Sequence, residues 1–134
     1  MRAGLIGLTI GAWLIGGLAA AAAASLEVQT FPSGRYVTGG VGVQERTEME
    51  KLRPEFNLRI LTARKKSGEF LADARVSISR GSETVLQALM TGPLMLVQLP
   101  PGNYRVVVSA EGKEMERTVS LGKGERRELY LYWD

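Results

Sequence analysis

Leu99-Pro100-Pro101-Gly102-Asn103-Tyr104-Arg105-Val106 closes one apolar strand and opens another. A residue that precedes proline is pushed towards extended backbone angles, so Leu99 ends its strand and Pro101 holds Pro100 extended. Pro101 presets φ at the first corner of a turn, and Gly102 supplies the positive φ that a type II turn needs at its second corner. Beyond the turn, Tyr104, Val106 and Val108 point to one side while Arg105, Val107 and Ser109 point to the other. The stretch therefore predicts a stop-and-reverse between two strands, 94–99 and 104–110. Pro100, Pro101, Gly102 and Tyr104 read as structural turn residues rather than ligand contacts, because proline and glycine are first of all punctuators.

The same period of two extends outward in both directions. Phe56, Leu58 and Ile60 face one way, then a turn falls at Ser67-Gly68. Ala74, Val76 and Ile78 alternate with Arg75, Ser77 and Ser79 up to Arg80-Gly81-Ser82. Strands over 84–90 and 94–99 flank Thr91-Gly92-Pro93, and Leu94-Met95-Leu96-Val97 is apolar enough for a strand buried on both faces. Met115, Arg117, Val119 and Leu121 share a side of the next strand. Leu129, Leu131 and Trp133 form a last inward row, with Tyr130 and Tyr132 facing outward. Upstream, 35–38 reads as a short first strand ending at Gly39-Gly40-Val41-Gly42. Residues 45–55 read as a short helix with Met49 and Leu52 on one face and Pro54 closing it. Seven or eight short strands divided by Gly and Pro predict an all-β fold, a single antiparallel β-sandwich. Arg105, Arg117, Arg126 and Arg127 are placed to discourage pairing between sheet edges.

The first residues carry a different pattern. After Met1-Arg2 no charge occurs from Ala3 to Ala24, and the run ends in Ala21-Ala22-Ala23-Ala24-Ser25. Small residues at the end of an uncharged apolar body predict a signal peptide over 1–24, cut after Ala24. The competing reading is a retained membrane anchor, since 22 uncharged residues are long enough to span a bilayer. No cysteine follows the run, so a lipoprotein anchor is excluded. The expected organisation is 1–24 signal peptide, 25–34 N-terminal arm and 35–134 β-sandwich domain, in a periplasmic or secreted protein. The membrane would be touched only through an uncleaved signal segment.

Composition removes whole classes of chemistry. The 134 residues contain 17 Lys+Arg and 14 Asp+Glu, a formal net charge of +3 that includes Arg2. No basic stripe interleaved with aromatics is present, so no nucleic-acid partner is expected. With no histidine and no cysteine, His-based triads, thiol nucleophiles and the usual zinc ligand sets are absent. Lys66-Ser67 sits in a turn, Glu111, Glu114 and Glu116 lie among Lys113 and Arg117, and Gly39-Gly40-Val41-Gly42 lacks the lysine of a phosphate loop. Asp73 alone cannot satisfy a calcium ion. The expectation is a protein that is not an enzyme and needs no cofactor or metal.

Two stretches resemble a known family. Gly92-Pro93-Leu94-Met95-Leu96-Val97-Gln98-Leu99-Pro100-Pro101-Gly102-Asn103-Tyr104 and Leu71-Ala72-Asp73-Ala74-Arg75-Val76-Ser77-Ile78 are similar to the carboxypeptidase regulatory-like domains. Those are transthyretin-like (prealbumin-like) β-sandwiches with a carbohydrate-binding-like fold. Tyr36-Val37-Thr38-Gly39-Gly40-Val41-Gly42 and Leu131-Tyr132-Trp133 resemble small exported proteobacterial proteins. The resemblance covers roughly residues 35–133 and implies a fold more than a function, because such sandwiches serve many roles. It implies an exported, non-catalytic protein that binds or scaffolds another cell-envelope component. The alternative is a carbohydrate- or peptidoglycan-binding module in which Tyr130 and Tyr132 stack on sugar rings. Against that, both tyrosines could cover a sheet edge or pack beneath the N-terminal arm, since tyrosine is at home half-buried with a wet hydroxyl.

Overall fold

Alternating sequence becomes nine strands in the computed structural model, which describes residues 26–134. The strands are β1 (Gln29–Phe31), β2 (Gly34–Gly39), β3 (Leu58–Arg64), β4 (Arg75–Arg80), β5 (Glu83–Leu89), β6 (Leu94–Gln98), β7 (Gly102–Ala110), β8 (Lys113–Leu121) and β9 (Arg127–Trp133). Helix α1 (Gly42–Leu52) and a 3-10 turn (Arg53–Glu55) separate β2 from β3. The expected signal peptide over 1–24 lies outside the described residues.

The strands form two sheets. One has five strands in the order β1-β2-β6-β3-β9, the other four in the order β5-β4-β7-β8. The apolar side of each alternating strand faces the other sheet. Leu58, Ile60, Met95, Val97, Leu131 and Trp133 from the first meet Val76, Ile78, Tyr104, Val106, Val108, Val119 and Leu121 from the second. Each such side chain buried stabilises the fold by roughly 1.5–3 kcal/mol, before the entropy of ordering the chain is charged against it. Polar atoms inside this layer are satisfied: the Thr62 hydroxyl donates to the Leu71 carbonyl at 2.8 Å, and the Trp133 indole N–H donates to the Lys113 carbonyl at 3.2 Å.

A second, smaller core lies on the opposite side of the five-stranded sheet. Met49 of α1, together with Phe56, packs on Val37, Leu94 and Leu96, with Leu26, Leu52 and Leu61 at its margin. This is why β6 is buried on both faces, as its unbroken apolar run predicts: it is the central strand of its sheet, covered by the other sheet below and by α1 above. The Gly39-Gly40-Val41-Gly42 stretch is the bend that brings α1 back over β2. A Cβ on Gly39 would come within 2.7 Å of the Glu45 carboxylate. That carboxylate accepts the Gly40 and Val41 amide protons at 2.8 and 3.2 Å, tying the bend just ahead of the helix to its first turns.

Four expectations need correction. The strand number is nine rather than seven or eight, because the arm at 25–34 contributes β1, which pairs antiparallel with β2. The sheets are not wholly antiparallel, since β9 runs parallel to β3, with Ile60 opposite Leu129 and Ala63 opposite Tyr132. Arg105 lies on β7, an interior strand, and so does not guard an edge. The Pro100-Pro101-Gly102 segment is not a type II reversal. It crosses from β6 in one sheet to β7 in the other, and Gly102 is not among the positive-φ glycines but is the first residue of β7, opposite Leu121. A step between sheets stacked about 10 Å apart needs a stiff extended connection, which two prolines supply, rather than a tight turn. The Tyr104 hydroxyl braces the step by donating to the Pro100 carbonyl at 2.6 Å. The same tyrosine-corner device closes other β-sandwiches.

Candidate functional site

Helix α1 covers only part of the outer face of the five-stranded sheet. Its apolar stripe is short, so it covers β2 and β6 and leaves the outward side chains of β9 exposed. Along β9 the inward row of Leu129, Leu131 and Trp133 forces Glu128, Tyr130 and Tyr132 to this outer face. Tyr130 is 48% exposed and Tyr132 47%.

A third ring joins them from an unexpected place. Phe70, 45% exposed, belongs to the loop between β3 and β4 and makes a single antiparallel bridge to Ala63. Because Ala63 is also opposite Tyr132, the row Phe70–Ala63–Tyr132 runs across the sheet on one face, beside the row Leu61–Tyr130. Ala63 is only 2% exposed, and register sets the three rings around it on one face, a shelf of aromatic side chains. Tyr130 and Tyr132 lie about 6.6 Å apart along β9, and Phe70 lies roughly 9–10 Å across from Tyr132.

Guanidinium groups border this shelf. Arg46, Glu50 and Arg53 follow the i, i+4, i+7 spacing that lines one side of a helix. The Arg46 guanidinium sits 5.5 Å over the Phe70 ring and donates to the Gly40 carbonyl at 3.3 Å. Arg59 lies 6.0 Å from the Tyr130 ring centre, an arrangement favoured by the negative face of the ring. Arg59 also reaches Glu50 at 3.4 Å and Glu128 at 4.0 Å; Arg53 pairs with Glu128, and the Tyr130 hydroxyl donates to Glu128. The charged half of the surface is therefore held in place, while Arg46 has no carboxylate partner among the described residues. A small cavity of about 110 Å³ opens beside this network, bordered by Arg53, Phe56, Arg59, Arg126 and Glu128.

The other sequence candidates go elsewhere. Ser67 accepts the Glu69 amide proton at 3.1 Å within its own turn. Glu111 pairs with Arg64 across the end of the sandwich. Glu116 pairs with Arg105, whose hydrogen bond holds its carboxyl below the ordinary range. Asp73 takes a left-handed backbone at φ 64° and donates its amide to the Met90 carbonyl. Among the described residues no group of three or more His, Cys, Asp or Glu could hold a metal ion. The arrangement offers ring faces with hydrogen-bond donors and acceptors beside them.

Sequence reading located Tyr130 and Tyr132 through their period of two, but missed Phe70, Arg46 and Arg59. Phe70 sits in a loop with no alternation to announce its direction, and one isolated bridge decides where it points. No family model matches the chain, and no curated protein matches it.

Proposed function

We propose that this is an exported, non-catalytic β-sandwich protein that binds or scaffolds another cell-envelope component through the outer face of its five-stranded sheet. The observation that carries the reading is the placement of Phe70, Tyr130 and Tyr132 on one face, each nearly half exposed, with Arg46 over the Phe70 ring. Aromatic and arginine side chains dominate binding energy at recognition surfaces because they combine a large contact area with directional polar groups. Export rests on the uncharged segment ending in Ala21-Ala22-Ala23-Ala24-Ser25, which reads as a signal peptide cleaved after Ala24 and supports a periplasmic or secreted location. The two-sheet arrangement and the Leu99-Pro100-Pro101-Gly102 crossing before Tyr104 support a carboxypeptidase regulatory-like, transthyretin-like sandwich. A photo-crosslinking side chain at position 70 tests the reading in intact cells. An adduct that disappears in Tyr130→Ala/Tyr132→Ala supports it; recovery of free monomer alone refutes it.

A second reading is favoured by the spacing of the rings: a carbohydrate- or peptidoglycan-binding module that stacks sugar rings on Tyr130 and Tyr132, with Phe70 extending the shelf. Retention on immobilised glycan separates the two. Loss in the double tyrosine variant supports sugar stacking, and retention equal to the parent protein removes it.

A further inference from the structure

The four-stranded sheet has an outer face of its own, partly hollowed by short side chains. On the two interior strands, β4 and β7, Ser77, Val107 and Ser109 face outward and are half-buried, with the long, exposed Arg75 and Arg105 on the same face. On the two outer strands the flanking positions are long: Gln87 and Leu89 on β5, Glu114 and Glu116 on β8. Register places them in two rows, Leu89–Arg75–Ser109–Glu114 and Gln87–Ser77–Val107–Glu116. Ser77, Val107 and Ser109 leave room between the longer Arg75, Gln87, Leu89 and Glu114, a bowl of about 460 Å³. That lies within the range of small-molecule sites.

The charges of the bowl divide into two kinds. Glu116 is engaged by Arg105, whose Nε donates to it at 2.7 Å. Arg75 and Glu114, at either side of Ser109, have no ion-pair partner among the described residues and do not pair with each other. Their backbones are two strands apart, roughly 10 Å, and their long side chains have the reach to meet the two ends of an extended tripeptide of similar length. The serine hydroxyls and the Gln87 carboxamide offer both donors and acceptors to an amide backbone. Val107 and Leu89 offer apolar contact to a side chain.

From this placement we propose that the bowl is a binding site for a short peptide with both ends free, its carboxylate at Arg75 and its amine at Glu114. The carboxylate is matched to a guanidinium, which can accept it bidentately, and the ammonium to an unpaired carboxylate. This site is independent of the aromatic shelf, which lies on the other sheet.

The test titrates the full chain with Gly-Leu-Gly, followed by amide chemical shifts. Saturable shifts on β4, β7 and β8 are expected, with affinity falling about fivefold when the peptide is N-acetylated or C-amidated. In Arg75→Gln the free and amidated peptides should bind alike, and in Glu114→Gln the free and acetylated peptides should do so, each erasing one preference only. Ser77→Gln/Ser109→Gln, which fills the bowl from the solvent side and leaves the inner core untouched, should abolish the shifts. The proposal is overturned by absence of saturation at roughly 10 mM peptide. It is equally overturned by affinities indifferent to blocked ends, or by shifts confined to Phe70, Tyr130 and Tyr132.

Discussion

Asn57 holds Leu99 by both hands: its carboxamide nitrogen donates to the Leu99 carbonyl at 2.7 Å, and its carboxamide oxygen accepts the Leu99 amide proton at 3.0 Å. The side chain thus continues the backbone ladder one step past the end of β6, where the chain turns away towards the other sheet. Asn57→Ala leaves both groups of Leu99 without these partners, and a loss of about 1–3 kcal/mol is expected. Urea denaturation should show a lower midpoint with an unchanged slope. A wild-type midpoint would mean that the prolines alone hold the crossing.

Two glycines should respond oppositely to alanine. Gly102 opens β7 without a positive φ, and its new Cβ would meet only the flexible end of Arg80, at 3.1 Å. Gly102→Ala should therefore stay within about 0.5 kcal/mol of the parent. Gly40 has φ 97° and lies against Leu94, so Gly40→Ala should cost roughly 1–3 kcal/mol. Paired thermal melts check both, and a larger loss at Gly102 would restore the tight-turn reading.

Acid should loosen the turn between β8 and β9. The Glu125 carboxyl is held below its ordinary range, first by the hydrogen bond from Arg127 and then by that from the Gly122 amide, at 3.1 and 2.7 Å. Its folded value is lower than its unfolded one. The contribution is therefore present above the unfolded value and is lost as pH falls through the folded value. Exchange of the Gly122 amide, corrected for its intrinsic rate, should accelerate below the usual carboxylate range, and in Glu125→Gln this step should vanish.

The aromatic shelf should be dispensable for folding. Phe70, Tyr130 and Tyr132 are nearly half exposed, so the triple alanine variant should keep most of its stability, losing on the order of 1 kcal/mol. Its co-sedimentation with envelope fractions should fall to background. Retained sedimentation with an unchanged melt would move the contact surface elsewhere.

The alternating sequence made most strands legible, because a buried side and a wet side impose a period of two whatever the partners are. The both-sided burial of Leu94 to Val97 was legible for the same reason. Sheet membership was not, since Pro100 and Pro101 are compatible both with a reversal and with a crossing. What decides between them includes Asn57, distant in sequence. The parallel pairing of β9 with β3 was hidden too, because local pattern carries no direction. Of the site, the outward direction of Tyr130 and Tyr132 was visible. Phe70 was not, and neither was the placing of Arg46 over its ring.

The two sheets also differ in how far the chain must travel to make them. In the four-stranded sheet β4 with β5 and β7 with β8 are hairpins between neighbours. In the five-stranded sheet Val37 meets Leu96 and Ile60 meets Leu129, partners separated by roughly 60 and 70 residues. Closing such long loops costs entropy before any contact repays it. The four-stranded half is thus expected to organise first, offering its apolar side as the template on which the distant strands assemble. Substitutions at Val106 should accordingly slow folding, and those at Leu131 should chiefly hasten unfolding.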